Sequence, residues 1–363
     1  MADGQLNTAQ SFAAWLAEAQ GTAPTATPGD ALELLALLPE PGSESWKYSP
    51  VNRLYEALRT GPRTPSNPED CAALLAAVDT QRYPLAAATA LNLASVTRLT
   101  LNHGETLNPE AFDAQQQGCH WLHIEVAPGA SAELLQRPAQ ATGLGAITSI
   151  TIGAGATLIH SVSGAPDSGT QWQLHSVGIE QNGHYQRHQL SLGGTLERND
   201  IHVQLTGRNA QAELTGSLLS GAHDRSDNQI VLEHQAQDCR SEARFHGLAN
   251  QHGKLTFGGR IHILADAAGT DARLHNPNLL LADTAEINTK PELEIYNDDV
   301  VCAHGATVGQ LNEDAVFYLR SRGIKLAAAR ALLLRGFVDD GIGGPDQDHM
   351  TTLINARFAQ WTL

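Results

Sequence analysis

The chain has 363 residues and a formal net charge of −16, with 23 Lys and Arg against 39 Asp and Glu and no dense basic run. A nucleic-acid surface must neutralise phosphates with basic side chains, so nucleic acid and anionic membrane are excluded as expected partners. The length allows two or three domains. Aromatic residues are only 5% while Gly numbers 33, a composition that suits thin, closely stacked layers.

The amino-terminal third reads as helical. Phe12, Trp15, Leu16 and Ala19 fall on one face of a helix that Gly21 stops, and a Thr/Pro/Ala-rich linker follows. Asp30 can cap a second helix over Ala31–Leu38, ended by Pro39 and Pro41. Further helices are predicted from Pro50 to Leu58, from Asp70 to Val78 and from Leu85 to Leu93. Near Val96 the period shifts to two and stays so until about Val308. Runs such as Leu122-His123-Ile124-Glu125-Val126 and Ile201-His202-Val203-Gln204-Leu205 alternate, with Gly, Asn, Asp and Pro between them as turns.

A faint repeat runs through this strand-rich region. Ala212-Glu213-Leu214, Ala243-Arg244-Phe245 and Ala272-Arg273-Leu274 share one pattern, and the apolar starts Ile201, Ile230, Ile261 and Leu293 recur at similar intervals. Such recurrence predicts stacked units, as in a β-solenoid, with a β-sandwich as the alternative. In a solenoid, the evenly spaced His246, His275 and His304 would form a ladder. After Val308 helices return: Asn312 is an N-cap followed by Glu313 and Asp314, Arg320 and Arg322 lie near the C-terminus of the same helix, and Gly323 ends it. Helices over Lys325–Arg335, ending at Gly336, and from about Asp346 to Trp361 complete the chain.

The usual catalytic motifs are missing from the sequence. There is no phosphate loop, no Gly-x-Gly-x-x-Gly opening a helix, no Cys-x-x-Cys and no His-Glu-x-x-His. Gly153-Ala154-Gly155 reads as a turn. A carbohydrate-active β-helix enzyme would need converging carboxylates, and the best acidic pair, Asp298-Asp299, sits in an apparent turn. Single histidines such as His202 and His262 read as outward-facing polar residues. The start, Met-Ala-Asp-Gly-Gln, has no basic or apolar leader, Ala327–Leu334 is too short to span a bilayer, and the four cysteines are far apart; together these predict a reducing cytoplasm. The one segment with specific chemistry is Val300–Thr307. Cys302 and His304 are two apart on a strand and so share a face, where they can meet one metal or one interface, or serve as a buried thiol and a hydrogen-bonded imidazole.

Three stretches carry a resemblance to a known family: Asn-Thr-Lys-Pro-Glu-Leu-Glu-Ile at 288–295, Cys-Ala-His-Gly-Ala-Thr at 302–307 and Phe-Tyr-Leu-Arg-Ser-Arg-Gly at 317–323. Together they resemble the signature block of the SufB/SufD family of iron–sulfur cluster assembly proteins, on its SufD-like side. Glu44-Ser45-Trp46-Lys47-Tyr48, Glu197-Arg198-Asn199 and Ser217-Leu218-Leu219 extend the likeness. The resemblance implies a mainly β fold, a right-handed parallel β-helix over 96–309, between helical regions at 1–95 and 310–363. It implies a non-catalytic scaffold that pairs with a SufB-like subunit and binds a SufC-like ABC-type ATPase through its C-terminal helices, with Asn312, Phe317, Tyr318, Arg320 and Arg322 as candidate contacts. His304 maps onto the family's interface histidine, with Cys302 as a second candidate ligand, and iron or an iron–sulfur cluster would be held only transiently there. Asn278–Leu281 stands where a SufB chain carries its key cysteine, so this chain alone is not expected to be a complete scaffold. Unpaired strand edges at the solenoid end predict association, of which a homodimer of the isolated chain is one form. The alternative is a protein-binding solenoid without metal chemistry, in which His304 is dispensable.

Overall fold

A computed structural model describes residues 38–39, 43, 46–48, 50, 51–60, 68–79, 82–91, 93–107, 119–137, 145–164 and 168–361. The helix expected around Phe12–Ala19 lies outside these residues, as does that over Ala31–Leu38 apart from Leu38 itself. Among the described residues three short helices come first: α1 (Val51–Thr60), α2 (Pro68–Ala77) and α3 (Pro84–Leu91). Leu93, expected to end α3, instead opens the first strand and is buried in it.

Sixteen strands follow among the described residues, from β1 (Leu93–Leu101) to β16 (Val300–Gly309). Odd-numbered strands form one eight-stranded sheet and even-numbered strands a second, and every registered pair is parallel. Each strand therefore pairs with the strand two along in sequence, which makes the architecture a β-solenoid with two strands per coil and excludes a hairpin-built sandwich. One corner of the solenoid is a stack of left-handed residues. Gly104, Gly129, Gly155, Asn182, Asn209, Asp238 and Gly269 all have positive φ, one in each of the first seven coils. Gly, Asn and Asp tolerate that conformation best, which is why they punctuate the strands. Successive corners are tied by backbone bonds, for example Gly155 N to Gln181 O and Asn182 N to Arg208 O.

Between the sheets lies the main apolar core, including Ile124, Ile150, Val177, Val203, Leu232, Ile261, Leu214 and Leu274. The helices cover the solenoid from outside. Leu54, Tyr55, Leu74 and Leu85 pack with Trp121, Trp172 and Leu174 of the odd-strand sheet. At the other end of the chain, α4 (Glu313–Ser321), α5 (Leu326–Asp339) and α6 (Gln347–Gln360) follow β16. Leu334, Val338, Met350, Ile354 and Trp361 pack on Leu190, Leu192, Leu219 and Leu248. Ser217 Oγ donates to the Val338 carbonyl at 2.6 Å. This packing carries α5 through Gly336, where the sequence predicts its end; burial of the last turn outweighs the roughly 1 kcal/mol that an internal Gly costs.

The expected histidine ladder does not exist. Arg240 pairs with Asp271, 31 residues on, and Asp271 pairs with Val301, 30 residues on, so an even spacing of 29 drifts across the register. His275 stands beside Arg244 and Gly305, His304 beside Leu274, and His246 faces outward against Phe337 of α5. The three-residue repeat slips for the same reason. Ala212 and Ala272 share a column with Ser241, whereas Ala243 stands one inward position further on, beside Leu214 and Leu274. A slip of two residues keeps every side chain on its proper face, so the sequence pattern hides it.

Candidate metal-handling interface

The last coil ends in the open. In β16, Cys302 stands beside Ala272 and His304 beside Leu274, both of which are fully buried core residues. Val300, Cys302, His304 and Ala306 thus continue columns that line the interior of every earlier coil. No further coil covers them, so Cys302 is half-buried and His304 exposed. Residues two apart on a strand lie about 7 Å apart at Cα and point the same way, which places thiol and imidazole side by side at the mouth. The opposite wall is β15 (Glu286–Ile295), where Leu293 continues the core column of Ile261 and Ile295 that of Ile263.

Large apolar side chains are exposed at this end, Leu293, Ile295 and Val308 from inward columns and Tyr296 and Val301 from the outer face. Val301 is 60% exposed. Burial, with Asp271 adding to it, raises the Cys302 thiol above its ordinary pKa, so it rests protonated at neutral pH. Among the described residues no group of three or more His, Cys, Asp or Glu converges to hold a metal ion. His304 and Cys302 supply at most two donors, and transition-metal and cluster sites ordinarily use four.

The other sequence-predicted residues lie on α4. Asn312 Oδ1 accepts from Asp314 N at 2.9 Å and Ala315 N at 3.1 Å, so its side chain serves as the helix cap. Gly323, at φ +87°, closes the other end. Only Val316 of α4 is buried, while Phe317 is 72% exposed and Tyr318 58%. The Arg322 guanidinium lies 5.2 Å from the Tyr318 ring centre, and Arg320 is exposed beside them. On α5, Leu326 and Leu332 are also exposed. The structure therefore places the candidate residues in two groups, Cys302 with His304 at the mouth and the aromatic–arginine face on α4.

A family model described as "SUF system FeS cluster assembly, SufBD core domain" matches residues 111–337. The chain belongs to the SufB/SufD family of iron–sulfur cluster assembly proteins. It is SufD-like: it is 29% identical to the iron–sulfur cluster assembly protein SufD of Escherichia coli over 243 residues, covering 66% of this chain and 57% of that one. The iron–sulfur cluster assembly SufBD family protein slr0076 of Synechocystis is 32% identical, over 53% of this chain and 43% of its own. The chloroplastic protein ABCI7 of Arabidopsis thaliana is 34% identical, over 44% and 34% respectively. The matched segments span between about a third and three-fifths of these relatives' lengths.

In this SufD-like chain, Asn278 is fully buried. Its Nδ2 donates to Asn276 O and Oδ1 and to Thr307 O, tying β14 (Thr270–Leu280) to β16. Leu279 and Leu281 beside it pack toward the C-terminal helices. Two segments that carry the family resemblance, 152 residues apart at Trp46 and Arg198, also meet. The Arg198 guanidinium lies 3.7 Å from the Trp46 ring centre and bridges Asp200 and Asp227. The sequence reading missed the apolar rim of Leu293, Ile295, Val301 and Val308. Its signal was there: apolar alternation continues to Val308 with no later strand to receive it.

Proposed function

We propose that this chain is the non-ATPase, non-catalytic scaffold subunit of a complex that builds iron–sulfur clusters. It pairs with a SufB-like subunit through the open end of its solenoid and presents His304 to the nascent cluster. Iron and the cluster are cargo, and the partner supplies the remaining ligands. The observation that carries this reading is His304 itself, a side chain in a core column left exposed because the coil that should cover it is absent. An apolar rim around a polar ligand is the pattern of an interface, with unpaired β15 and β16 edges available to a second solenoid. The exposed face of α4 is the docking surface for a SufC-like ATPase; aromatic and Arg side chains are those enriched at interface centres. The described cysteines Cys119, Cys239 and Cys302 are free thiols, in keeping with a reducing cytoplasm. Among the described residues, no helix is long and apolar enough to cross a membrane.

The test is co-purification with cognate SufB-type and SufC-type subunits, wild type against His304→Ala. Both chains are expected to form the complex, and only the wild type to support cluster assembly on it. Cluster assembly that survives His304→Ala would leave a binding module without metal chemistry. Failure of the wild type to bind either partner would overturn the reading altogether.

A further inference from the structure

The interior of the solenoid is not uniformly apolar. In its middle coils, β6 (Thr157–Ser163), β7 (Ser168–Ile179) and β8 (His184–Ser191) send polar side chains into the space between the sheets. Arg187 stands in the inward column of His160 and Leu214 and is wholly buried. Its guanidinium donates to Gln189 Oε1 at 3.1 and 3.3 Å. Nη1 reaches only the Tyr185 hydroxyl and His160 Nδ1, each at 3.5 Å. Every one of these partners is neutral, and among the described residues no carboxylate forms an ion pair with Arg187.

Glu197, a buried acid of β9 (Gly194–Leu205), is already engaged. Glu197 accepts from Ser191 Oγ and Gly193 N at 2.8 Å and from Asn199 Nδ2 at 3.1 Å, and the buried Arg357 of α6 supplies it with positive charge. A guanidinium cannot shed its proton, so its charge must be balanced where it stands. Facing Arg187 from the other sheet is His175, 1% exposed, its ring centre 5.6 Å from that of His160. Both ring nitrogens of His175 are buried without a hydrogen-bond partner. Buried polar groups are almost always satisfied, so an imidazole with two bare nitrogens beside an unbalanced cation marks a missing ligand.

We propose that the solenoid interior holds one small monovalent inorganic anion, of halide size, between the Arg187 guanidinium and the His175 ring N–H. The charge fixes the valence. Burial, with Arg187 nearby, holds both His160 and His175 neutral, so the guanidinium contributes the one positive charge present. The surroundings limit the size: Arg187, Tyr185, Gln189, His160 and His175 are all buried, so an organic anion would have to displace core side chains. A water molecule could satisfy His175 but would leave the cation unbalanced. The site draws its residues from two successive coils, so the anion stabilises the middle of the solenoid.

The experiment has two readouts on the full chain. Crystals of the wild type grown in bromide, measured at the bromine absorption edge, are expected to show an anomalous peak in contact with Arg187 and His175. Bromide found only at the surface, or water density alone at this position, overturns the proposal. Thermal unfolding in chloride against gluconate at equal ionic strength is expected to raise the wild-type midpoint in chloride by about 2 °C or more, as a ligand bound only to the folded state does. The gain is expected to vanish in Arg187→Met, with His175→Phe as the second variant should the first fail to fold. Equal wild-type midpoints in the two salts overturn the proposal without any variant. Neither readout depends on the partner subunits, so this inference and the proposed function fail independently.

Discussion

Replacing Arg198 with Met tests how the amino-terminal segment is held on the solenoid. Arg198 lies on the outer face of β9 (Gly194–Leu205), and its side chain is 4% exposed, as are those of Asp200 and Asp227. It donates to Asp200 at 2.9 and 3.1 Å and to Asp227 at 2.7 Å, while Trp46 covers its plane. Trp172 Nε1 also donates to Asp200, at 2.6 Å. Arg198→Met leaves the aliphatic packing and removes the charge from between two buried carboxylates. Breaking a buried pair in this way costs about 3–5 kcal/mol, and the desolvated stack on Trp46 adds up to about 2 kcal/mol. Urea unfolding followed by tryptophan fluorescence should show the loss, and limited proteolysis should show earlier cleavage around Trp46–Tyr48. A chain in which Asp200→Asn and Asp227→Asn accompany Arg198→Met should recover much of the stability, because no buried charge is then stranded. A loss below about 1 kcal/mol for the single variant would refute the reasoning, since a buried bidentate ion pair cannot be removed so cheaply.

Two further outcomes follow from named contacts. Glu233 is drawn down to about 2 by its hydrogen bond to His202 at 3.2 Å, by Gln235 and by Arg82, against the opposing effect of burial. A carboxylate whose pKa is lower in the folded state stabilises it above the unfolded pKa and loses that contribution as pH falls, here from about 4.5 toward 2. Glu233→Gln should therefore cost about 3 kcal/mol at pH 7 and about half as much near pH 3, read by urea unfolding at both pH values; an equal cost at both would contradict the assignment. On α4, Phe317→Ala with Tyr318→Ala should abolish capture of the SufC-like ATPase in pull-downs. The same pair should change the stability of the isolated chain by no more than about 0.5 kcal/mol per position, because both side chains are exposed.

The order helix, strand, helix was legible because period two holds from Val96 to Val308 and the helical period returns at Asn312. The shared face of Cys302 and His304 was legible for the same reason. What periodicity does not report is which strand pairs with which. Coil lengths vary by a residue or two, so the evenly spaced His246, His275 and His304 suggest a ladder that the register scatters into three columns. Burial was hardest to read at β9, where Glu197, Arg198, Asn199 and Asp200 are polar on both faces and yet all buried. One face enters the hydrogen-bonded interior and the other lies under Trp46. His202 and His262 read as outward polar residues and do point outward, yet His202 is covered by Tyr83 and Arg82 of the amino-terminal region. Their tertiary cover comes from segments far away in sequence, which no local pattern encodes.

The most direct measurement is X-ray absorption at the iron edge on the purified complex after cluster assembly, with wild-type chain and with His304→Ala. The expected result is imidazole nitrogen scattering in the wild type that is lost in the variant while the complex stays intact. Identical iron environments in the two would contradict the claim that the bare last coil contributes His304 to the cluster.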